Sequence, residues 1–391
     1  MNIKTIRMLQ DLEAMRTYWE RWQNHPNNDF SQFSLVCRLR PEVEYPCVTV
    51  IEHNNQPHAL LAGRMERTRF APSIGYLTPA RIPAKVMTVL HQGLLGRVDD
   101  EIGKELILHL WSLLVSGEAD AVVFYKLTED SPLLQALQTH GSRWCCEKKL
   151  VWHPHWQTLL PGEQGFLIKN MKSKHRSLIR KKERSLESAF PGKISWRWIS
   201  RFDDIPEFCA QLEAVAARTY QRGLESGFMD NEDHRRRFSL FASRGQLRAQ
   251  VLEIDGQMRA FDVGIIYNDT FFGSETGFDP DLREFAPGTL IMLRMIDELI
   301  QEGVQKVDWG LGDAHYKQQF GNHSWQETTV WLFAPTAKGM LLRSMLRLST
   351  IVDSTARRIL QRVGLTDKLK TLWRRRMAKG ETETDKSENV T

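Results

Sequence analysis

The sequence predicts an α/β (α+β) protein with two domains in tandem, each a mixed, largely antiparallel sheet flanked by helices, and a basic helical tail. Three observations predict this fold class. The 391 residues are enough for two or three domains, and a 41% hydrophobic content can fill their cores. The order strand, helix, antiparallel strands, helix, strand, helix, strand occurs in both halves, without sequence identity between them. The stretch 270–317 is typical of a ligand-binding strand, loop and helix.

These patterns predict five segments. They are an N-terminal domain at 1–155, a basic linker helix at 156–190, a second domain at 191–336, a basic amphipathic tail at 337–379 and a disordered segment at 380–391.

Composition favours a cytoplasmic protein. The net charge of +5 suits anionic ligands or surfaces. No run of 18 apolar residues and no signal peptide is recognisable. The five scattered cysteines lack a Cys-x-x-Cys pair, which is typical of reduced thiols. His153 and His155 lie in a predicted loop without a ligand partner at metal spacing, so no metal site is expected.

Periodicity and turn residues predict the elements of the first half. They are strands at 3–6, 47–52, 58–67, 87–95, 121–127 and 144–152, and helices at 12–22, 99–115 and 132–140. Asp99 and Asp100 start the helix at 99–115, where their carboxylates would repel a pyrophosphate. The first domain is therefore expected to shape a substrate cleft without catalysing.

The second half follows the same order. Its predicted strands are 194–199, 247–254, 258–267, 270–277, 304–309 and 327–333, and its predicted helices begin at 205, 232 and 287. A tight turn at Asp255-Gly256 joins two of these strands.

Pro287, Gly288 and Thr289 open the helix that follows the 270–277 strand. The first N–H groups of a helix have no partner inside it, so such a start is a candidate anion site. Glycine lets a ligand approach the backbone closely. An ordinary loop with an N-cap is the alternative.

Polar side chains gather after the 304–309 strand. Asp308, Asp313, His315, Tyr316 and Lys317 follow one another at its carboxyl end. Ligands of open α/β sheets usually bind at the carboxyl ends of strands, so this edge is the candidate site.

Two blocks carry a family resemblance. FAPGTLIMLRMIDELIQEGVQKVDWGLGDAHYKQQFG contains a Pro-Gly helix start, an Asp-aromatic-Gly-x-Gly-Asp segment and Tyr-Lys, and a second block begins at Lys172-Ser173-Lys174. Over about 165–335 the chain resembles the GNAT acyltransferase superfamily. Within it, the chain is most similar to the branch named for cellulose-biosynthesis acetyltransferases, which is related to the Fem aminoacyltransferases. Both domains are accordingly expected to be GNAT-like, the first of them degenerate.

The resemblance implies an acyl-CoA donor, most simply acetyl-CoA, lying between the strands 270–277 and 304–309. Backbone N–H groups after Glu275 would hold the thioester oxygen, and the pyrophosphate would lie on Gly288, Thr289 and Leu290. Glu275 is the first candidate base, with Asp308, Asp313 and His315 as competitors. Tyr316 is the candidate acid toward the thiolate. Lys317 would meet a phosphate of CoA or of the acceptor.

The linker helix is strongly basic, and three interpretations remain open for it. Lys174, Arg176 and Arg180 belong to a run of cations opposed by Glu183 alone. The helix is a solvated face, a wall that binds the phosphates of an acceptor, or, least favoured, a nucleic-acid surface. Arg218 and Tyr220 are further acceptor-binding candidates by resemblance, with a surface role as the alternative.

The function expected from these residues is N-acylation of an amine on a small or sugar-linked acceptor in envelope or exopolysaccharide synthesis, a pathway implied by the family name. Two alternatives remain open: a Fem-like transferase that uses aminoacyl-tRNA, and a non-catalytic module bound to a biosynthetic complex or membrane. The tail, with Leu341, Arg343, Arg347 and Leu348, either packs on the body or contacts the inner-membrane surface.

Overall fold

The computed structural model describes residues 1–362 except 76, 79, 142–144, 147–149, 220–221 and 223–226. Its strands are β1 Asn2–Ile6, β2 Val43–Pro46, β3 Val48–His53, β4 Gln56–Phe70, β5 Ile82–Gly96, β6 Ala121–Thr128, β7 Trp152–Leu159, β8 Ile194–Ile199, β9 Leu247–Ile254, β10 Gln257–Tyr267, β11 Thr270–Phe278, β12 Lys306–Leu311 and β13 His323–Phe333.

The helices follow the same numbering in chain order. They are α1 Leu9–Leu12, α2 Arg16–Trp22, α3 Phe30–Leu39, α4 Asp100–Val115, α5 Pro132–His140, α6 Phe166–Asn170, α7 Ser173–Ala189, α8 Ile205–Ala216, α9 Glu232–Ser243, α10 Pro287–Gln301, α11 His315–Phe320 and α12 Ala337–Arg362.

The described residues form two compact units. Unit 1 contains 1–155 together with 325 onward, and unit 2 contains 156–324. The predicted mixed α/β architecture with antiparallel sheets and flanking helices is therefore confirmed in each half.

In unit 1 the sheet order is β1-β3-β4-β5-β6-β13, with β2 on β4. All pairs are antiparallel except β5 with β6. The helix α4 packs its apolar face, including Leu106, Leu110 and Leu114, into the main core of this unit. A tight turn at Asn54-Asn55 joins β3 to β4, and both residues have positive φ, as such a hairpin turn requires.

In unit 2 the sheet order is β8-β9-β10-β11-β12, and β7 is the other neighbour of β12. The strands β8 to β11 are antiparallel, and β11 is parallel to β12. The helix α10 buries Leu290, Ile291, Met295 and Leu299 in one core, and α8 and α9 cover a second core. The predicted hairpin at Asp255-Gly256 is confirmed.

The structure corrects the placement of two strands. The strand predicted at 327–333 as the last of the second domain pairs with β6 in unit 1. Of the strand predicted at 144–152, residues 150 and 151 are not in a strand, and β7 begins at Trp152. An alternating apolar pattern shows that a segment is a strand but does not identify its neighbour in the sheet.

The predicted tail helix begins at Ala337 and packs on unit 1. Its Leu342 is fully buried in a cluster with Phe70, Val86, Val123 and Phe333. Lys338 also pairs with Asp120. The predicted disordered segment 380–391 lies outside the described residues. Within the described range, no helix has the length and apolarity needed to cross a bilayer.

Candidate active site

The strands β11 and β12 separate at the centre of unit 2. Their parallel register runs from Thr270 opposite Lys306 to Phe272 opposite Asp308, after which β11 continues to Phe278 beside β10 alone. At this point β11 carries one extra residue, because Gly273 pairs with Gly264 and Glu275 with Val263. Such a bulge bends a strand and increases its twist. The edge of β11 that leaves β12 therefore opens a cleft.

Glu275 lies directly beyond this bulge and faces α9. Its Oε1 is 3.4 Å from His234 Nε2, and both side chains are about one-sixth exposed, at 16%. The backbone N–H of His234 donates to Asn231 Oδ1 at 2.9 Å, which identifies that atom as the oxygen. His234 Nδ1 lies 3.0 Å from the same oxygen and must therefore be its donor.

With its hydrogen on Nδ1, neutral His234 has a lone pair on Nε2, the nitrogen that faces Glu275. His234 Nε2 contacts the Glu275 carboxylate favourably only if a proton lies between them, on one or the other. No sequence pattern indicates His234, which is about 40 residues from Glu275 in the chain. Only the packing of α9 beside β11 reveals it.

The two competing carboxylates are held by local turns. Asp308 Oδ1 accepts the Gly310 N–H at 2.8 Å, and Gly310 has a φ of +71°. Asp313 accepts a hydrogen bond from the Gln318 side-chain amide in α11. Both carboxylates therefore support the connection from β12 to α11.

Tyr316 and Lys317 lie in the first turn of α11. Tyr316 is half-buried, and its ring meets Trp309 edge-on with centroids 6.2 Å apart. Lys317 is 9% exposed, and its Nζ donates to the Leu311 carbonyl at 2.7 Å. His315 begins α11, but its side chain is outside the described part of the structure. Three of the five residues at 313–317 therefore lie in a helix, α11.

The helix start at Pro287 is confirmed. Pro287 occupies the first turn of α10, after Ala286 in the left-handed region with a φ of 55°. The N–H groups of Thr289 and Leu290 donate to the Ala286 carbonyl at 3.0 and 3.3 Å. Of the three amides named for the pyrophosphate, only that of Gly288 has no hydrogen-bond partner in the described chain.

Gly288 also leaves space for a ligand. A Cβ built on it would meet only the Phe278 ring, at an ordinary 3.7 Å. No acidic residue lies in the first turn of α10. The corresponding helix of unit 1 differs, because the Asp99 side chain caps it by accepting the Ile102 N–H at 2.9 Å. The predicted contrast between the two helix starts is present.

The linker helix predicted at 156–190 is shorter in the structure, because residues 156–159 belong to β7 and the basic helix α7 spans Ser173–Ala189. Its Lys174 and Arg180 are exposed, and Arg176 is half-buried. Ile179 and Leu186 anchor α7 in the unit 2 core. No described carboxylate lies within 4 Å of Lys174, Arg176 or Arg180, although Arg176 Nη1 donates to the Lys169 carbonyl.

Arg218 has a different environment. Its two terminal nitrogens contact Asp279 at 2.5 Å and Asp281 at 2.7 Å, and Arg259 also pairs with Asp279. These bonds hold the segment that connects β11 to α10, which contains Asp279 and Asp281. Tyr220 lies outside the described residues.

Two further titratable sites were not identified from sequence. Asp262 in β10 is 5% exposed, and burial raises its pKa to about 8. His155, which was expected in a loop without an acidic partner, lies in β7 with Nδ1 3.0 Å from Glu327 in unit 1. This placement corrects the prediction, because 172 residues separate the two in the chain. Among the described residues, no group of three or more His, Cys, Asp or Glu side chains is arranged to hold a metal ion.

Comparisons with known proteins agree with this geometry. Residues 173–318 match the family model described as an acetyltransferase (GNAT) domain. FemX is similar at 9% identity and a TM-score of 0.54, covering 85% of this chain and 97% of that chain. A tandem GNAT protein from the clavulanic acid biosynthesis pathway is similar at 13% identity and a TM-score of 0.50, covering 86% and 100%.

A conserved protein of unknown function from Bacteroides thetaiotaomicron VPI-5482 is also similar, at 14% identity and a TM-score of 0.50, covering 84% and 99%. At such identities the likeness concerns the fold, and the predicted tandem GNAT fold is confirmed. No curated protein sequence matches the chain. The narrower resemblance to cellulose-biosynthesis acetyltransferases stays a prediction.

Proposed function

We propose that unit 2 is an acyl-CoA-dependent N-acyltransferase, with acetyl-CoA as the simplest donor and an amine on a small or sugar-linked molecule as acceptor. The observation that carries the proposal is the cleft itself: β11 leaves β12 beyond Phe272, with the Glu275–His234 pair beyond the bulge. The acyl arm would lie in this cleft, and its pyrophosphate on the Gly288 N–H. A role in cytoplasmic steps of envelope or exopolysaccharide synthesis belongs to the same proposal.

The proposed chemistry balances with the residues present. The Glu275–His234 pair takes a proton from the acceptor ammonium, and the free amine attacks the thioester carbonyl carbon. As the tetrahedral intermediate collapses, the C–S bond breaks and an amide forms. The thiolate takes a proton from the Tyr316 hydroxyl, and the resulting tyrosinate takes the second proton, which the nitrogen loses as it becomes an amide. Among the named carboxylates, Glu275 is the proposed base, because local turns hold Asp308 and Asp313.

Calorimetric titration with acetyl-CoA tests the donor site. A carboxylate at the N-terminus of α10 opposes a pyrophosphate electrostatically. We expect micromolar binding to the wild type, no binding to Gly288→Asp, and intermediate binding to the isosteric neutral Gly288→Asn. If both variants lose binding equally, the size of the added side chain and not its charge is the cause. If the wild type does not bind at about millimolar acetyl-CoA, the proposal is refuted.

One observation favours a transferase that uses aminoacyl-tRNA as a second candidate. The exposed cations of α7 have no acidic partners among the described residues, as a nucleic-acid surface requires. Titration of the wild type with total tRNA, at two salt concentrations, separates the candidates. Binding that weakens steeply with salt, together with no acetyl-CoA binding, would favour the tRNA-dependent function.

A membrane contact through α12 is a further part of the proposal. Leu341, Leu348, Val352 and Ile359 are 50%, 63%, 39% and 56% exposed, and their spacing places them on one face of the helix. Exposed Arg347 and Arg358 lie beside that face. An apolar stripe flanked by arginines suits an anionic lipid surface, because the acyl chains would contact the stripe and the charged headgroups would pair with the arginines.

Sedimentation with vesicles tests this contact. We expect the protein to sediment with vesicles containing anionic lipid and not with neutral ones. Leu348→Glu with Ile359→Glu should abolish sedimentation, whereas Leu178→Glu, at a 49% exposed leucine of α7, should not. Sedimentation that survives the double substitution would exclude the α12 stripe as the contact.

A further inference from the structure

Unit 2 contains a cavity of about 680 Å³ between the start of α7 and the end of α11. This volume lies within the range of small-molecule sites. Its apolar lining includes Phe166, Leu167 and Met171, and its polar lining includes Asn170, His175 and Gln319. None of its lining residues is a carboxylate. The cavity therefore suits a neutral or anionic ligand with both apolar and hydrogen-bonding faces.

The polar side of the cavity offers uncharged donors and acceptors. Gln319 Nε2 lies 2.9 Å from His175 Nε2. An amide nitrogen only donates, so the imidazole accepts here and carries its hydrogen on Nδ1. Within the described chain, Gln319 Oε1 and the Asn170 side chain have no hydrogen-bond partner. These groups match hydroxyl groups, which both donate and accept.

A cationic path leads away from the cavity along α7. Lys172 lines the cavity, and Arg176, four residues later, lines a neighbouring groove with Ser173, Ser177 and Arg180. Residues four apart on a helix are surface neighbours. No described carboxylate lies within 4 Å of Lys172, Arg176 or Arg180, so their charge is available to an anion.

We propose that the cavity binds a glycosyl phosphate, with the sugar against the amides and apolar wall and the phosphate on Lys172 and Arg176. Sugar rings combine an apolar face with hydroxyl groups, and the guanidinium fork suits phosphate. The same chemistry occurs in nucleotide-linked and lipid-linked sugars. This inference rests on the proposed transferase function, because Gln319 lies one helical turn from Tyr316, the proposed acid.

Calorimetry with glucosamine 1-phosphate on the full chain tests the proposal. We expect it to bind at least about tenfold more tightly than glucosamine, because the phosphate adds charge-assisted hydrogen bonds. Gln319→Leu and Arg176→Ala should each weaken binding about tenfold or more. The matched controls are Gln211→Leu in α8 and Arg201→Ala, both exposed and distant in sequence, and they should bind as the wild type does.

Three outcomes are distinguishable. No binding of glucosamine 1-phosphate at about 10 mM, or unchanged binding to Gln319→Leu, overturns the inference. Titration of the same samples with acetyl-CoA separates this failure from failure of the proposed function, because the two ligands have different sites. Tighter binding of UDP-glucosamine indicates a nucleotide-linked source, and tighter binding of a polyprenyl-phosphate glucosamine in micelles indicates a lipid-linked source.

Discussion

His155 Nδ1 lies 3.0 Å from Glu327 Oε2 in the interior of unit 1. Each residue is 1% exposed. Trp325 stacks on the His155 ring at 4.3 Å and donates its Nε1–H to Glu327 Oε1 at 2.8 Å. His91 Nε2 lies 3.8 Å from the same oxygen. This group joins the start of β7 to β13.

Replacement of Glu327 by Gln should destabilise unit 1. The change keeps the shape of the side chain but removes a buried carboxylate that accepts the Trp325 N–H and faces two imidazoles, and losing a hydrogen bond to a charged group typically costs about 1.5–3 kcal/mol. Urea unfolding measures the loss. Glu20→Gln, at an exposed carboxylate paired with Arg16, should cost at most about 1 kcal/mol. Equal losses in the two variants would show that the buried cluster does not stabilise the fold.

The same cluster predicts lower stability in acid. The His25 ring lies 4.8 Å from that of His91. Burial lowers the pKa of both histidines below the ordinary 6.5, so below about pH 6.5 the unfolded chain binds protons that the folded chain does not. For Glu327, burial raises the pKa, but the neighbouring His155 and His91 outweigh it and the pKa falls below 4.5. That contribution is present above about pH 4.5 and is lost in stronger acid.

Unfolding midpoints between about pH 5 and pH 8 measure this effect. Stability should fall as the pH drops below about 6.5, and His91→Gln should make the dependence shallower by up to about 1.4 kcal/mol per pH unit. The exposed His53→Gln is the control and should leave the slope unchanged. A slope that is the same in wild type and His91→Gln would contradict the assignment.

Sequence patterns predict most helices and strands of each unit. They do not predict that β13, which follows unit 2 in the chain, belongs to the sheet of unit 1. Pro287 and the spacing of Leu293, Ile296 and Ile300 fixed α10, because helix starts and amphipathic periods are local signals. Sequence order predicts Glu327 in the second domain, whereas its strand pairs with β6 in unit 1, because strand pairing is a tertiary property. His234 and His155 were missed for the same reason, since no short motif joins either to its carboxylate.

Asp262→Asn should stabilise unit 2, and more so at high pH. Burial raises the pKa of Asp262 to about 8, so the folded chain keeps a proton that the unfolded chain loses above about pH 4. Keeping this proton in the folded chain costs free energy that grows with pH, from about 1–2 kcal/mol at pH 5 to about 5 kcal/mol at pH 8. Denaturant unfolding of both proteins measures the gain.

The control for this comparison is Asp203→Asn, because Asp203 is exposed. It should leave stability nearly unchanged at either pH. An Asp262→Asn gain that does not grow with pH would mean that the carboxyl is ionised in the folded protein.

Lys317→Met should lower stability without weakening acetyl-CoA binding. The ammonium is nearly buried and donates to the Leu311 carbonyl, so its loss leaves a carbonyl without that partner and costs about 1–3 kcal/mol. The expectation from family resemblance, that Lys317 meets a phosphate, requires the opposite result. Titration of Lys317→Met with acetyl-CoA decides between them, and an affinity reduced about tenfold or more would restore the phosphate-binding role.

Glu275→Gln and His234→Gln should reduce acyl transfer by different amounts. Loss of a general base typically lowers kcat by about 10²–10⁴-fold, which is the expectation for Glu275→Gln. His234→Gln retains the carboxylate and removes the group that shares its proton, so we expect a smaller loss, on the order of tenfold. Release of free thiol from acetyl-CoA with an amine acceptor measures turnover.

Binding separates catalysis from folding in these two variants. Both should bind acetyl-CoA as the wild type does, because neither side chain lies at the Gly288 amide that is proposed to hold the pyrophosphate. Asn231→Ala completes the test, since the Asn231 oxygen keeps the His234 hydrogen on Nδ1. If Asn231→Ala and His234→Gln lower turnover equally, the orientation of the imidazole matters as proposed. If His234→Gln leaves turnover unchanged, Glu275 acts without it and the shared proton has no role in catalysis.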